Sequence, residues 1–268
     1  MEGVQSAEHD MIGPTPIEGA AGRRTELATN LVRVRDRITA ACAAASRPVD
    51  DVELIAITKT FPASDVVLLA GLGITEVGES RDQEAVTKIR EVGEVAASLP
   101  GLPLISLLHW HFVGALQTNK CASVVTYASL VHSVDRLRLV TALGRAAGER
   151  RVPRVQRVSC LVQVDLDEIS RPGRAGARPE DVDALAGAIA SQPGLDLAGV
   201  MAVAPLGVEP GRAFAALAVI ADGVRQRHPS ATVISAGMSG DLESAVANGS
   251  THVRVGAALL GSRRHPVG

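Results

Sequence analysis

Hydrophobic residues along this chain alternate between two kinds of spacing. Between Glu26 and Ala45 they recur at helical intervals, which places Leu27, Leu31, Val34 and Ile38 on one face of a helix. Short continuous apolar runs then follow, and such runs are typical of buried parallel strands. Eight strands are predicted, at Glu53–Thr58, Ile74–Gly78, Leu104–Val113, Leu130–Ser133, Val155–Val164, Leu197–Val203, Thr232–Ser235 and Val253–Gly256.

The segments between these runs have the mixed polar and apolar spacing of helices. A capping motif at Ser80 predicts the start of a helix that runs to about Ala97. Further helices are predicted at Ser64–Ala70, Gln117–Cys121, Asp135–Arg150, Glu180–Ser191, Gly211–Arg227 and Gly240–Asn248, and a short helix follows the last strand. Eight strands alternating with helices predict an α/β fold, a single (β/α)8 TIM barrel, for which roughly 250 residues is usual.

A doubly wound open sheet is the competing fold. Its usual glycine-rich phosphate loop is missing, because the first predicted strand is followed by Lys59, Thr60, Phe61 and Pro62. Residues 1–22 are rich in Gly, Pro and Ala without periodicity, so we expect a flexible N-terminal tail there. Residues 23–268 are predicted to form one barrel domain.

Composition narrows the choice of partners and surroundings. Aromatic residues make up only 2% of the chain, which argues against base stacking, and the net charge of −2 gives no indication of a nucleic-acid or membrane partner. Cys42, Cys121 and Cys160 are scattered without a CxxC pair, which favours a reducing cytoplasm and predicts no metal site. Neither a membrane span nor a signal peptide is recognisable. Since no large apolar surface helix stands out, we expect a monomer.

Lysine is scarce in this chain, with three residues against twenty-four arginines. A retained lysine is therefore a candidate for chemistry that needs a primary amine, because arginine stays protonated and cannot form a Schiff base. Lys88 and Lys120 lie among polar residues, whereas Lys59 ends the apolar run of the first strand. A chance position at a strand end is the alternative interpretation of Lys59.

The predicted strand ends carry several further candidates. In a barrel, reactive groups gather at the carboxyl ends of the strands. Glu79 and Ser80 end the second strand, and Met201 lies on the sixth. Arg254 lies in the eighth strand, where a buried cation needs a partner or a ligand.

The segment from Gly237 through Met238 and Ser239 to Gly240 joins the seventh strand to a helix. Its glycines and helix-start amides favour a phosphate cradle, and a tight turn with Ser239 as N-cap is the alternative. Gly256, before the last helix, offers further amides and favours phosphate. An amine opposite such a cradle suits a phosphorylated aldehyde, since burial favours the neutral amine that attacks a carbonyl.

Three histidines lie on the third and fourth strands. His109 and His111 share one face, but no carboxylate or cysteine lies nearby in sequence, so packing or hydrogen bonding is favoured over metal ligation. His132 beside Ser133 lacks an orienting acid and is given little weight as a nucleophile pair.

Several ordered segments together resemble a known family. They are Ala56–Thr60, Val77–Glu79, Trp110–Gly114, Leu116–Lys120, Val131–Asp135, Gly237–Glu243 and Arg254–Gly256. The chain resembles the YggS/PROSC family of pyridoxal 5′-phosphate homeostasis proteins from about Leu27 to Arg263. This family shares the barrel of the alanine racemase N-terminal domain.

The resemblance implies a pyridoxal-phosphate-binding protein that buffers the cofactor and hands it to apoenzymes. It implies a Schiff base at Lys59, phosphate contacts around Ser239 and at the Gly256 and Ala257 amides, and Arg254 facing the pyridine nitrogen. The cofactor-binding residues predicted here are Lys59, Ser80, Met201, Gly237, Met238, Ser239, Arg254, Gly256 and Ala257. No catalytic residue and no metal ligand are predicted.

The sequence departs from the family pattern at Ser80-Arg81, where Asn-Tyr is usual, at Ala115, where histidine is common, and at Ala257, where threonine is frequent. Two other functions stay open. A racemase needs a second acid–base group, and the only tyrosine, Tyr127, lies near the start of the fourth strand. A Schiff-base aldolase without cofactor would also use a lysine and a phosphate site, but the order of the motifs disfavours it.

Overall fold

The computed structural model describes residues 16–98, 103–149, 157–167 and 175–261. Within them, eight parallel strands pair in sequence order and close into a barrel through the pairing of the first strand with the eighth. The predicted TIM barrel is therefore confirmed. The strands are β1 Glu53–Ile57, β2 Glu76–Glu79, β3 His109–Phe112, β4 Ala128–Val134, β5 Val158–Gln163, β6 Leu195–Met201, β7 Val233–Ser235 and β8 His252–Val255.

Helices connect the strands and surround the barrel. They are α1 Pro16–Ala44, α2 Ala63–Ala70, α3 Asp82–Ser98, α4 Cys121–Val124, α5 Leu137–Gly148, α6 Val182–Ala190, α7 Pro210–Arg227, α8 Leu242–Ala247 and α9 Ala257–Leu260. None of the helices in the described ranges is long and apolar enough to cross a membrane.

The side chains of each strand alternate between the helices and the barrel axis. Two large clusters of buried apolar residues fill the space between the sheet and the helices. A small third cluster, formed by Leu130, Leu161 and Met201, lies inside the barrel. The other inward positions carry many polar side chains, so the interior can hold a hydrogen-bonded network as well as a core.

Helix α1 places the last helix of the barrel. Its predicted apolar face is buried, with Leu27, Leu31, Val34 and Ile38 at most 4% exposed. Arg23 donates to the carbonyl oxygen of Leu260 over 3.0 Å. The side-chain amide of Asn30 donates to the carbonyl oxygen of Leu259 over 3.0 Å. These bonds satisfy the end of α9 and tie the N-terminal helix to the β8–α9 region.

Several predicted boundaries differ from the structure, and two of them differ by five residues or more. Helix α1 begins at Pro16, inside the segment predicted as a tail, while residues 1–15 lie outside the described ranges. The predicted third strand begins at Leu104, but Pro103–Leu107 forms a 3-10 helix and only His109–Phe112 pairs as β3. Ile105 of this run is buried against the helices and Leu107 is 54% exposed, so the run packs beside the sheet without joining it.

Candidate functional site

A cavity of about 440 Å³ opens at the carboxyl ends of β1, β7 and β8. Its walls include the apolar side chains of Ile57, Phe61 and Val203. Six of the predicted site residues line it together: Lys59, Met238, Ser239, Arg254, Gly256 and Ala257. The barrel therefore brings an amine, a guanidinium and two chain turns from distant parts of the sequence to one opening.

The other three predicted residues lie elsewhere. Ser80 lines a neighbouring cleft of about 460 Å³ that also contains Lys120. Met201 belongs to the interior cluster and is 2% exposed. The carbonyl oxygen of Gly237 accepts the backbone N–H of Arg254 over 2.9 Å, behind the loop. None of the three is among the described residues that line the 440 Å³ cavity. Their predicted contacts with a cofactor stay predictions.

The chain after β3 runs directly against Ser80. A Cβ atom on Gly114 would lie 2.1 Å from the Ser80 carbonyl oxygen, so only glycine fits there. This contact places Ser80 between the β2 and β3 ends, facing the neighbouring cleft.

Lys59 follows β1 and is half-buried at the edge of the cavity. The next residue, Thr60, has a left-handed backbone with φ +69°, which is uncommon for a β-branched residue. A carboxylate oxygen of Glu84, in the first turn of α3, accepts the Thr60 backbone N–H. The turn that carries Lys59 is thus held from α3.

Beneath this turn lies a buried ion pair. The Lys88 Nζ lies 2.5 Å from the Glu79 Oε1 and donates to the Thr58 carbonyl oxygen over 2.7 Å. The hydroxyl of Thr58 donates to the same Glu79 oxygen over 2.7 Å. Burial raises the pKa of the Glu79 carboxyl, although Lys88 and Thr58 oppose the shift.

Neither member of this pair lies where its sequence position suggests. As a residue at the end of the second predicted strand, Glu79 was a candidate reactive group, but it faces α3 and is fully buried. Lys88 lies among polar residues in the sequence, yet it is 4% exposed. The rarity of lysine was the available indication, because the same argument that selected Lys59 applies to Lys88.

The loop after β7 meets the start of α9. The Ser239 Oγ accepts the Ala258 backbone N–H over 3.2 Å, so the two predicted anion-binding segments are in contact. The Met238 backbone N–H donates to the Asp241 Oδ1 over 2.5 Å and is therefore engaged within the loop. Asp241 precedes α8 as its N-cap residue, which excludes the alternative interpretation of Ser239 as the N-cap.

Arg254 lies at the base of the cavity and is 5% exposed. Its guanidinium donates to the Ser235 Oγ over 2.7 Å and to the Ala202 carbonyl oxygen over 2.9 Å. Burial lowers the pKa of Arg254 to about 10, and the charge of Asp241 partly opposes that shift. The partners expected for an arginine in the eighth strand are present.

The histidines of β3 share a carboxylate partner that the sequence analysis missed. The His109 Nδ1 and the His111 Nε2 lie 2.7 and 2.6 Å from the two oxygens of Glu76. Burial opposes ionisation of Glu76, but its bonds to the two histidines lower the pKa of the carboxyl. Glu76 pairs with His109 across β2 and β3, so the contact depends on strand register.

No metal centre accompanies these histidines, since no suitable group of three ligands occurs in the described part of the chain. His132 faces the barrel interior and bonds to His111, whereas the buried Ser133 hydroxyl has no hydrogen-bond partner among the described residues. The alternation of β4 therefore separates these two neighbours.

Residues 29–264 match the family described as the alanine racemase N-terminal domain. The chain belongs to this family. Within it, the chain is 45% identical over 247 residues to a pyridoxal phosphate homeostasis protein of Mycobacterium tuberculosis strain H37Rv, covering 90% of this chain and 95% of the relative. An Escherichia coli K12 protein of the same name is 35% identical over 241 residues, covering 89% and 97% of the two chains.

A solved structure of similar sequence also superposes on this chain. PipY of Synechococcus elongatus PCC7942, determined with PLP bound, is 32% identical and superposes with a TM-score of 0.70. The match covers 88% of this chain and 100% of PipY. The predicted resemblance to pyridoxal phosphate homeostasis proteins is thus confirmed as family membership.

Proposed function

We propose that this protein binds pyridoxal 5′-phosphate in the 440 Å³ cavity and acts in the homeostasis of that cofactor without turnover. The observation that carries the proposal is the meeting of Lys59, Arg254 and the Ser239 loop at one opening. The names of the relatives and the PLP bound to PipY support the same ligand.

The donors at the cavity fit the chemistry of the cofactor. When bound, pyridoxal phosphate supplies an aldehyde that condenses with a primary amine and releases water. Lys59 would hold that end, and the Ser239 hydroxyl with the amides at Gly256 and Ala257 would hold the phosphate. Arg254 would face the ring nitrogen.

The cation at the base of the cavity favours storage over catalysis. A guanidinium beside the pyridine nitrogen discourages protonation of the ring, and an unprotonated ring is a weaker electron sink. Arg254 keeps this position through two hydrogen bonds to the protein. The proposed function is therefore binding, buffering and delivery of the cofactor to apoenzymes.

Racemase activity is disfavoured by the position of Tyr127. A racemase needs acid–base groups on both faces of its substrate. The hydroxyl of Tyr127, the single tyrosine of the sequence, lies 3.4 Å from the Asp82 Oδ1, and its ring packs against the clusters outside the barrel. It is not among the described residues that line the cavity.

Borohydride trapping tests this function. We expect mass mapping of the reduced protein, after loading with pyridoxal phosphate, to find a pyridoxyl group on Lys59. The adduct at that site should disappear in Lys59→Ala and persist in the matched Lys120→Ala. An unmodified Lys59, or alanine racemisation that Lys59→Ala abolishes, would overturn the proposal.

The proposed surroundings are the cytoplasm, and the proposed state is a monomer. Cys42, Cys121 and Cys160 are free and buried, which agrees with a reducing compartment. Sedimentation of the loaded protein is expected to give the mass of one chain, 27.7 kDa.

A further inference from the structure

A chain of hydrogen bonds crosses the barrel interior behind Arg254. It runs from the Arg254 Nη1 to the Ser235 Oγ over 2.7 Å, and from that oxygen to the His132 Nδ1 over 3.0 Å. The His132 Nε2 lies 2.9 Å from the His111 Nδ1. The His111 Nε2 lies 2.6 Å from the Glu76 Oε2 at the start of β2. Five strands contribute one inward-facing residue each.

The hydrogen bond between Arg254 and Ser235 determines which atom donates in each of the other hydrogen bonds. A guanidinium only donates, so the Ser235 oxygen accepts from Arg254. Among the described residues, the other hydrogen-bond neighbour of this oxygen is His132, so the hydroxyl proton points to its Nδ1. A ring nitrogen that accepts carries no proton, and His132 is therefore a neutral imidazole protonated on Nε2.

The same donor-to-acceptor direction continues along the hydrogen bonds as far as Glu76. The Nε2–H of His132 donates to the His111 Nδ1, and the Nε2–H of His111 donates to the Glu76 carboxylate. With this arrangement every link has one donor and one acceptor. Such aligned bonds polarise one another, which makes the Ser235 oxygen a better acceptor for Arg254.

Burial maintains this state. His132 and Ser235 are fully buried, and His111 is 3% exposed. Burial, together with the charge of Arg254, lowers the pKa of His132 well below its usual value. His132 is separated from the cavity by Ser235 and Arg254, so it acts on the site only through them.

We propose that His132 is a positioning residue for the cofactor: as a neutral Nε2–H imidazole it accepts the Ser235 proton and fixes the guanidinium of Arg254, while His111 and Glu76 set its tautomer. This inference rests on the proposed function, because Arg254 is taken to meet the ring of pyridoxal phosphate.

Paired substitutions at position 132 test the positioning role. His132→Leu removes the acceptor and is expected to raise the Kd for pyridoxal phosphate about tenfold, the effect of one hydrogen bond. His132→Asn offers a carboxamide oxygen near the former Nδ1 and should restore the affinity to within about threefold of the unaltered protein. Ser235→Ala should match His132→Leu, and combining the two should add little.

The matched control is His109→Asn. His109 bonds to the same Glu76 carboxylate but is not one of the residues that link Glu76 to Arg254, and its side chain is 62% exposed. Its replacement should leave the Kd unchanged. An equal loss of affinity in His109→Asn and His132→Leu would contradict a specific role for the hydrogen bonds between Glu76 and Arg254.

A second readout uses the cofactor-free protein. Imidazole ¹⁵N NMR near neutral pH should show His132 protonated on Nε2 alone, and Ser235→Ala should alter that pattern. A doubly protonated ring, or a proton on Nδ1, would overturn the inference whatever the Kd values are.

The outcomes separate this inference from the function beneath it. If the unaltered protein forms no Lys59 adduct, the proposed function falls and the positioning role falls with it. If the unaltered protein binds normally and folded His132→Leu binds equally well, only the positioning role falls. Should His132→Leu fail to fold, the smaller change Ser235→Ala decides, and normal affinity in that variant overturns the inference.

Discussion

At the residue scale, Lys59 and Arg254 are held in different ways. Arg254 is buried, and its guanidinium donates to Ser235 of β7 and to Ala202, which follows β6. Lys59 is half-buried, and its position depends on the backbone on either side of it, which Lys88 and Glu84 hold from α3. The guanidinium is therefore fixed before a ligand arrives, whereas the amine keeps rotational freedom to approach a carbonyl.

The buried pair beneath Lys59 gives the first prediction. Lys88→Met leaves the Glu79 carboxylate buried without its cation, and we expect a loss of about 3 kcal/mol in the free energy of unfolding, measured by urea denaturation. Because the pKa of Glu79 is already raised by burial, the variant should favour the protonated carboxyl. Folding would then take up a proton, so the loss should shrink as the pH falls and grow as it rises.

Two further variants control this measurement. Lys120→Met removes an ammonium that is 36% exposed and 3.9 Å from Asp82, and it should change stability by about 0.5 kcal/mol or less. The double variant Glu79→Gln, Lys88→Met removes both charges and should recover much of the loss. A single Lys88→Met variant as stable as Lys120→Met would show that the pair is not needed.

At the element scale, local patterns predicted the elements themselves better than their contacts. The apolar face of α1 follows from helical spacing, and buried runs such as Leu54–Ile57 mark the strands. Contacts between elements were missed where they depend on register. Glu76 meets His109 and His111 only because β2 pairs with β3 at that offset, and no local pattern encodes it.

The β1–α2 turn gives a prediction at this scale. Thr60→Gly should raise the free energy of unfolding by about 1 kcal/mol, because relief of the left-handed strain exceeds the entropy that glycine adds to the unfolded chain. The matched control is Thr87→Gly, an exposed position within α3, which should lose about 0.3–0.5 kcal/mol. Both values are measured by urea denaturation, and a loss at both positions would contradict strain at Thr60.

At the scale of the whole molecule, closure of the barrel assembles the site. Lys59 follows β1, while Ser239 and Arg254 belong to the β7 and β8 end of the chain. Pairing of β1 with β8 brings these ends together, and α1 adds bonds to α9 across the same seam. Sequence motifs identified six residues of the cavity because the fold class predicts where strand ends meet. The internal hydrogen-bond chain needs the actual packing and was not predictable.

Closure also depends on a close approach between β6 and β7. Gly199 has φ +150°, beside a register shift between β5 and β6, and a Cβ there would lie 1.9 Å from the Val233 carbonyl oxygen. Gly199→Ala therefore forces two strands apart in addition to straining the backbone. We expect a loss of at least about 3 kcal/mol in the free energy of unfolding, measured by urea denaturation.

The control for this prediction is Gly187→Ala. Gly187 lies within α6 with open space where its Cβ would be, and alanine there should raise stability by about 0.5–1 kcal/mol through helix propensity. Opposite signs for the two glycines would tie the effect to the strand contact, since the chemical change is identical. A Gly199→Ala protein as stable as the unaltered one would mean that β6 and β7 approach less closely than described, and the position of Ser235 behind Arg254 would then be in question as well.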